Sequence, residues 1–422
     1  MKFLSLLVLM LSLVSYSQNS MDQDIIDIED QLIEWRHHFH QNPELSNREF
    51  KTAEKIAEHL KSLGMEVETG IAKTGVVGIL KGNNNGKVVA LRADIDALPV
   101  TERNDLPFKS EVRTTFLNTE TGVMHACGHD THIAILMATA EVLSKHKDKI
   151  NGTVKFIFQP AEEGPPPGEE GGAKLMIKEN VLKNPDVDAI FGLHINSQTP
   201  VGTIKYKTGG IMASVERFVI DVKGKQTHGS QPWSGVDPIL ISAKIIDGLQ
   251  TIISRESQLT NEAAVITVGK ITAGTRFNII PESAEMIGTV RTLDPAMRSH
   301  IEKRMKEMVE TIAKAYGGNA TITFQNNTSI TFNDPDLTAQ VLPSIQRAAG
   351  ETNVQIMKAT TGGEDFSYFQ EEVPGVYFFL GGMTPGTTES FPHHTPDFMI
   401  DDSGMLLGVK AFTNITLDYL NN

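Results

Sequence analysis

The chain has 422 residues, with 38 Lys+Arg against 52 Asp+Glu, a formal charge of −14, and 40% apolar residues. This composition describes a globular protein long enough for two domains, and its negative charge repels phosphate backbones, which excludes general nucleic-acid binding. The single cysteine, Cys127, excludes an intrachain disulfide, and no internal apolar run reaches the about 18–20 residues of a membrane span.

Lys2, the apolar stretch 3–14 and Ser15-Tyr16-Ser17 read as a signal peptide over residues 1–17, which predicts export to the periplasm or the exterior. A helical pattern follows over 24–63. Short apolar runs then alternate with helical patterns, at 88–91, 154–158, 189–193 and 376–380. Nearly continuous apolar strands separated by helices predict an α/β fold whose sheet is mostly parallel and flanked by helices on both faces. The middle of the chain differs, reading strand 213–222, helix 237–256, strands 263–272 and 283–292, helix 295–316, strand 320–326. That order is the split βαβ, ferredoxin-like arrangement. The expected organisation is a larger domain in two parts, 20–210 and 328–422, interrupted by a smaller α+β domain over 211–327.

The residues after the core strands carry the chemistry. Asp94 and Asp96 follow the first run, Glu162 and Glu163 the second, His194 the third, and a loop with His393 and His394 the last. In a parallel sheet the carboxyl ends of strands share one edge, where ligand crevices form. A further segment, Met124-His125-Ala126-Cys127-Gly128-His129-Asp130-Thr131-His132, leads into an apolar helix over 133–143. Thiolate, imidazole and carboxylate together are ligands for zinc and related metals. Taken singly, Cys127 is a small buried hydrophobe, Glu162-Glu163 a solvated pair and His194 a core histidine; convergence on one edge is what points to a metal. A thiol nucleophile at Cys127 with a histidine base is the rival, and it leaves Glu162, Glu163 and His394 without a part.

The segments Arg92-Ala93-Asp94-Ile95-Asp96-Ala97-Leu98-Pro99, His125-Ala126-Cys127-Gly128-His129-Asp130 and Gln159-Pro160-Ala161-Glu162-Glu163-Gly164 closely resemble the metal-dependent amidohydrolases of the aminoacylase/carboxypeptidase family. Gly362-Gly363-Glu364-Asp365-Phe366 and His394-Thr395-Pro396-Asp397-Phe398 extend the match, which runs from about Trp35 to the C-terminus. The branch resembled holds N-acyl-L-amino acid amidohydrolases, hippurate hydrolases and indole-acetyl-amino-acid hydrolases. The resemblance implies a catalytic domain interrupted by a lid or dimerisation domain, and the open face or edge of the four-stranded sheet there predicts a homodimer through residues 211–327. It implies two divalent ions per subunit, zinc or manganese first and nickel or cobalt as alternatives, held by Cys127, His129, Glu163, His194 and His394. His394 is preferred to His393 because the family's histidine directly precedes a Ser/Thr/Asn-Pro step.

By the same resemblance Glu162 is the general base, Asp94 orients the centre and His228 supports the oxyanion. Asn278 and Arg291 hold the substrate carboxylate. On residue type alone His228 is a solvated turn residue and Arg291 a surface ion pair. The implied reaction cleaves the amide of N-acyl amino acids (acetyl, benzoyl or similar) to a carboxylic acid and a free amino acid. A metallo-dipeptidase or carboxypeptidase, and a non-enzymatic carboxylate-binding protein, are the alternatives. Two departures stand out: Pro232-Trp233 where the family has a Pro-His step, and an apparent insertion from Gly164 to Gly172. His37, His38 and His40 have ligand-like spacing but read as a structural helix end.

Overall fold

Residues 20–84 and 86–421 are described in a computed structural model; the signal peptide expected over 1–17 lies outside them. Eight strands form the sheet of the first unit, in the order Glu66–Ile71, Gly75–Lys81, Gly152–Gln159, Lys87–Asp94, Ala189–Pro200, Gly375–Met383, Ile204–Tyr206, Val354–Ile356. The four central strands run parallel, and the first two add antiparallel at one edge. Their Val-, Ile- and Phe-rich runs are buried on both faces, so no polar alternation marks them. The helix His129–Lys145 is buried along almost its whole length and packs on this sheet.

Two expectations change in detail. The helical stretch expected over 24–63 is broken after Gln41 and resumes only at Phe50–Ser62. Pro43 disfavours helix at the residue before it, and Asn47 adopts a left-handed φ of 61°. The strand expected over 189–193 continues to Pro200, because Gly375–Met383 pairs alongside it as far as Met383 opposite Pro200. His194 therefore sits within the strand, opposite Phe379.

The second unit spans Gly209–Phe332 with Lys358–Ser367. Its antiparallel sheet has the order Ala264–Ala273, Ser283–Thr292, Val215–Lys223, Asn319–Thr328, which is the ferredoxin-like order. Helices Pro238–Thr251 and Pro295–Ala315 start with Pro, and their N-cap residues Asp237 and Asp294 accept backbone N–H groups. The helices bury Ile241, Ile245, Ile301 and Met305 against Phe218, Ile220 and Met286. The boundary expected at 327/328 is corrected here. Residues 358–367, expected in the larger domain, are tied to this unit by Ala213 N donating to the carbonyls of Thr360 (3.2 Å) and Gly362 (3.1 Å).

Candidate metal centre

Cys127 lies one residue before Gly128, whose φ of +89° turns the chain into the helix that begins at His129. A Cβ on Gly128 would meet Ile195 Cγ2 at 2.4 Å, so both the backbone angle and the space demand glycine. This turn points Cys127 at two histidines from distant segments: its Sγ is 3.4 Å from His194 Nε2 and 3.3 Å from His394 Nε2. His394 Nε2 is also 3.1 Å from Glu163 Oε1. His129 Nε2 is 3.9 Å from Glu162 Oε2 and 4.0 Å from Glu163 Oε1. Among these six residues three overlapping groups result, each with ligand atoms within 4.8 Å of one another: Cys127–His129–His194, Cys127–Glu163–His394 and His129–Glu162–Glu163. All five expected ligands and the expected base come together.

Backbone carbonyls fix two of the rings. His129 Nδ1 donates to the carbonyl of Asp96 (2.8 Å), and its buried Nε2 has no hydrogen-bond partner among the described residues. His194 Nδ1 donates to the carbonyl of Ile195 at 2.6 Å, which aims Nε2 at Cys127. An orphaned buried nitrogen beside a thiol and two carboxylates fits a divalent metal, and fits little else.

In the metal-free protein these groups hold protons. Burial, then the carboxylates of Glu163 and Glu162, push the Cys127 thiol well above its usual range. That is opposite to what a thiol nucleophile needs, so the rival reading loses its chemistry. Burial opposes charge on His129, but Asp94 and Asp96 outweigh it and raise the ring to about 10. Burial, with His132 and His393 close by, keeps His194 neutral.

Asp94, expected to orient the centre, is fully buried with Oδ1 3.8 Å from His129 Nδ1; its Oδ2 accepts from Arg92 (2.7 Å) and its Oδ1 from His132 Nδ1 (2.5 Å), and it forms a further close group with His129 and His132. His132 Nε2 in turn accepts from Ile195 N at 2.8 Å. Asp96 makes the closer contacts: Oδ1 is 3.3 Å from His129 Nδ1, and Oδ2 accepts from Glu163 N at 3.1 Å. Sequence reasoning named Asp96 and His132 but gave neither a part in supporting the centre. The available signal was His132 at i+3 from His129, on the same helix face.

His393 packs beside the centre with Nδ1 3.2 Å from the carbonyl of Cys127, but belongs to none of the three groups. His40 is buried between Asp130 (2.9 Å) and Glu102 (3.1 Å), as a structural helix end should be, and His37 pairs with Asp402 at 2.7 Å. His228, Asn278 and Arg291 belong to the second unit. His228 is exposed, and its Nδ1 accepts from Ser230 N at 3.1 Å, which leaves Nε2–H free to donate. Asn278 Oδ1 is buried without a hydrogen-bond partner among the described residues. Arg291 is partly buried, burial lowers its pKa, and among the described residues it has no ion-pair partner.

Residues 90–418 match the model of peptidase family M20/M25/M40. Thermostable carboxypeptidase 2 of Saccharolobus solfataricus is 42% identical over 400 residues, 94% of this chain and 98% of the relative. N-acetylcysteine deacetylase of Bacillus subtilis is 39% identical over 390 residues, 92% and 96% of the two chains. The solved YXEP protein of Bacillus subtilis, described as a dinuclear metal-binding peptidase, is 36% identical with a TM-score of 0.77, over 94% of this chain and 99% of that one.

Proposed function

The chain belongs to peptidase family M20/M25/M40, and from that premise we propose that this metal-dependent amide hydrolase acts on N-acyl amino acids, releasing a carboxylic acid and a free amino acid. The observation that carries the reading is the cluster of the five expected ligands with Glu162 beside it. Cys127, His129, Glu163, His194 and His394 would hold two divalent ions, with zinc or manganese suited to this mixed set. Bound there, the ions supply Lewis acidity toward the scissile carbonyl and toward a water.

The remaining work falls to the chain's own groups. Glu162 takes a proton from the attacking water and returns it to the leaving nitrogen, so water O–H and amide C–N break while carbonyl C–O and N–H form. His228 offers Nε2–H to the developing oxyanion. Arg291 binds the substrate's α-carboxylate through its planar fork, and Asn278 assists. A second copy pairs through residues 211–327 in this reading, and a solution mass equal to one chain would contradict that. The relative named a carboxypeptidase supports the second reading, in which the acyl group is itself an amino acid.

The test is Arg291→Ala. It should raise KM at least ~10-fold for N-acyl amino acids and by less than about 2-fold for the matching amino-acid amides, which lack the charge. Equal losses on acids and amides would remove the carboxylate anchor from the account.

A further inference from the structure

Glu49 stands at the N-cap position of the helix Phe50–Ser62, yet makes no side-chain cap bond to that helix. An acidic residue there ordinarily accepts from the first turn's own amides. Here the fully buried carboxyl reaches across the unit instead, with Oε1 accepting from Ala161 N at 2.9 Å and Oε2 from Thr74 Oγ1 at 2.6 Å.

Ala161 immediately precedes Glu162, and its φ is +52°. A residue with a Cβ avoids the left-handed region unless its surroundings hold it there. Two surrounding contacts do so. Glu49 takes the amide before Glu162, and Asp96 Oδ2 takes the amide after it, Glu163 N, at 3.1 Å. The backbone of Glu162 is therefore pinned on both sides by carboxyls carried on other elements.

The same corner holds the far end of this loop. Asn47 Nδ2 donates to Glu169 Oε2 at 3.0 Å, and Arg48 Nη2 to Glu169 Oε1 at 2.6 Å. Three consecutive residues thus grip both ends of the segment that contains Glu162, Glu163 and the apparent insertion.

We infer that Glu49 is a positioning residue for the general base: by accepting the Ala161 N–H it holds the left-handed turn that aims Glu162. The inference rests on the proposed role of Glu162. Its requirement is an acceptor at the right reach, not a charge, so glutamine should replace glutamate and the shorter aspartate should not.

The experiment compares Glu49→Gln, Glu49→Asp and Glu162→Gln in the metal-loaded full chain with an N-acetyl amino acid. Glu49→Asp should lower kcat about 10- to 100-fold, with KM and bound metal unchanged, because small misplacements of a catalytic group cost that much. Glu49→Gln should lose less than about 3-fold. Amide hydrogen exchange, which does not depend on activity, should show protection at Ala161 lost in Glu49→Asp and kept in Glu49→Gln. Thr74→Val removes the second anchor without touching the carboxyl and should give the same split at smaller size; it replaces Glu49→Asp if that variant does not fold. Unchanged kcat or unchanged Ala161 protection in Glu49→Asp overturns the inference, as does a loss in Glu49→Gln equal to that in Glu49→Asp. Metal lost in parallel with activity also overturns it, since the contact would then serve Glu163. A fully active Glu162→Gln instead removes the base assignment, a failure separate from that of the strut seen by exchange.

Discussion

Glu162→Gln leaves bound metal at the wild-type level while turnover falls at least ~100-fold, equivalent to about 2.7 kcal/mol of barrier. The reason is positional. Glu162 Oε2 lies 3.9 Å from His129 Nε2, within reach of the centre, but Glu163 is the carboxylate that joins both Cys127–His394 and His129. Glutamine keeps the shape and removes the proton acceptor. Metal analysis beside kcat checks this: loss of metal in step with activity would mean that the two glutamates exchange parts.

Removal of metal by a chelator abolishes turnover, and re-addition restores it with a steep dependence on pH. Without metal, burial and Glu163 hold the Cys127 proton well above its ordinary range, and Asp94 and Asp96 hold His129 up at about 10. Both groups are protonated at neutral pH, and both must lose that proton to become ligands. Uptake therefore releases a proton from each, so affinity for zinc rises as pH rises from 6 to 8 and falls as it drops. Proton release measured calorimetrically in buffers of different ionisation enthalpy checks the sign. PH-independent uptake would place the metal on other donors.

Much of this was legible in the sequence, for physical reasons that also mark where legibility ends. Strands such as Lys87–Asp94 show through a short unbroken apolar run, here 88–91, because both faces are buried. The second unit shows because Asp237 and Asp294, each followed by Pro, announce its helices. The expected ligands show because each follows an apolar run or stands at the start of the helix His129–Lys145. Asp94 and Asp96 could not be separated that way: they lie two residues apart at one strand end, and only the fold reveals that Asp94 turns to His132 and Arg92 while Asp96 faces His129 and Glu163 N. The docking of 358–367 on 211–213 consists of backbone hydrogen bonds, which leave no mark on side-chain pattern. Glu49 was invisible for a related reason: it falls inside the helical stretch expected over 24–63, and its partner is an amide 112 residues away.

The family contains both deacetylase-like and carboxypeptidase-like relatives, so the substrate decides the account. The most direct measurement is amino-acid release by the zinc- or manganese-loaded protein from matched N-acetyl, N-benzoyl and N-aminoacyl (dipeptide) derivatives of the same amino acids. N-acyl or N-aroyl amino acids should be cleaved with higher kcat/KM than the dipeptides, and cleavage should vanish on chelation. Faster release from the dipeptides, with little from the acyl compounds, would contradict the N-acyl amino acid reading and make the protein a metallo-dipeptidase on the same centre.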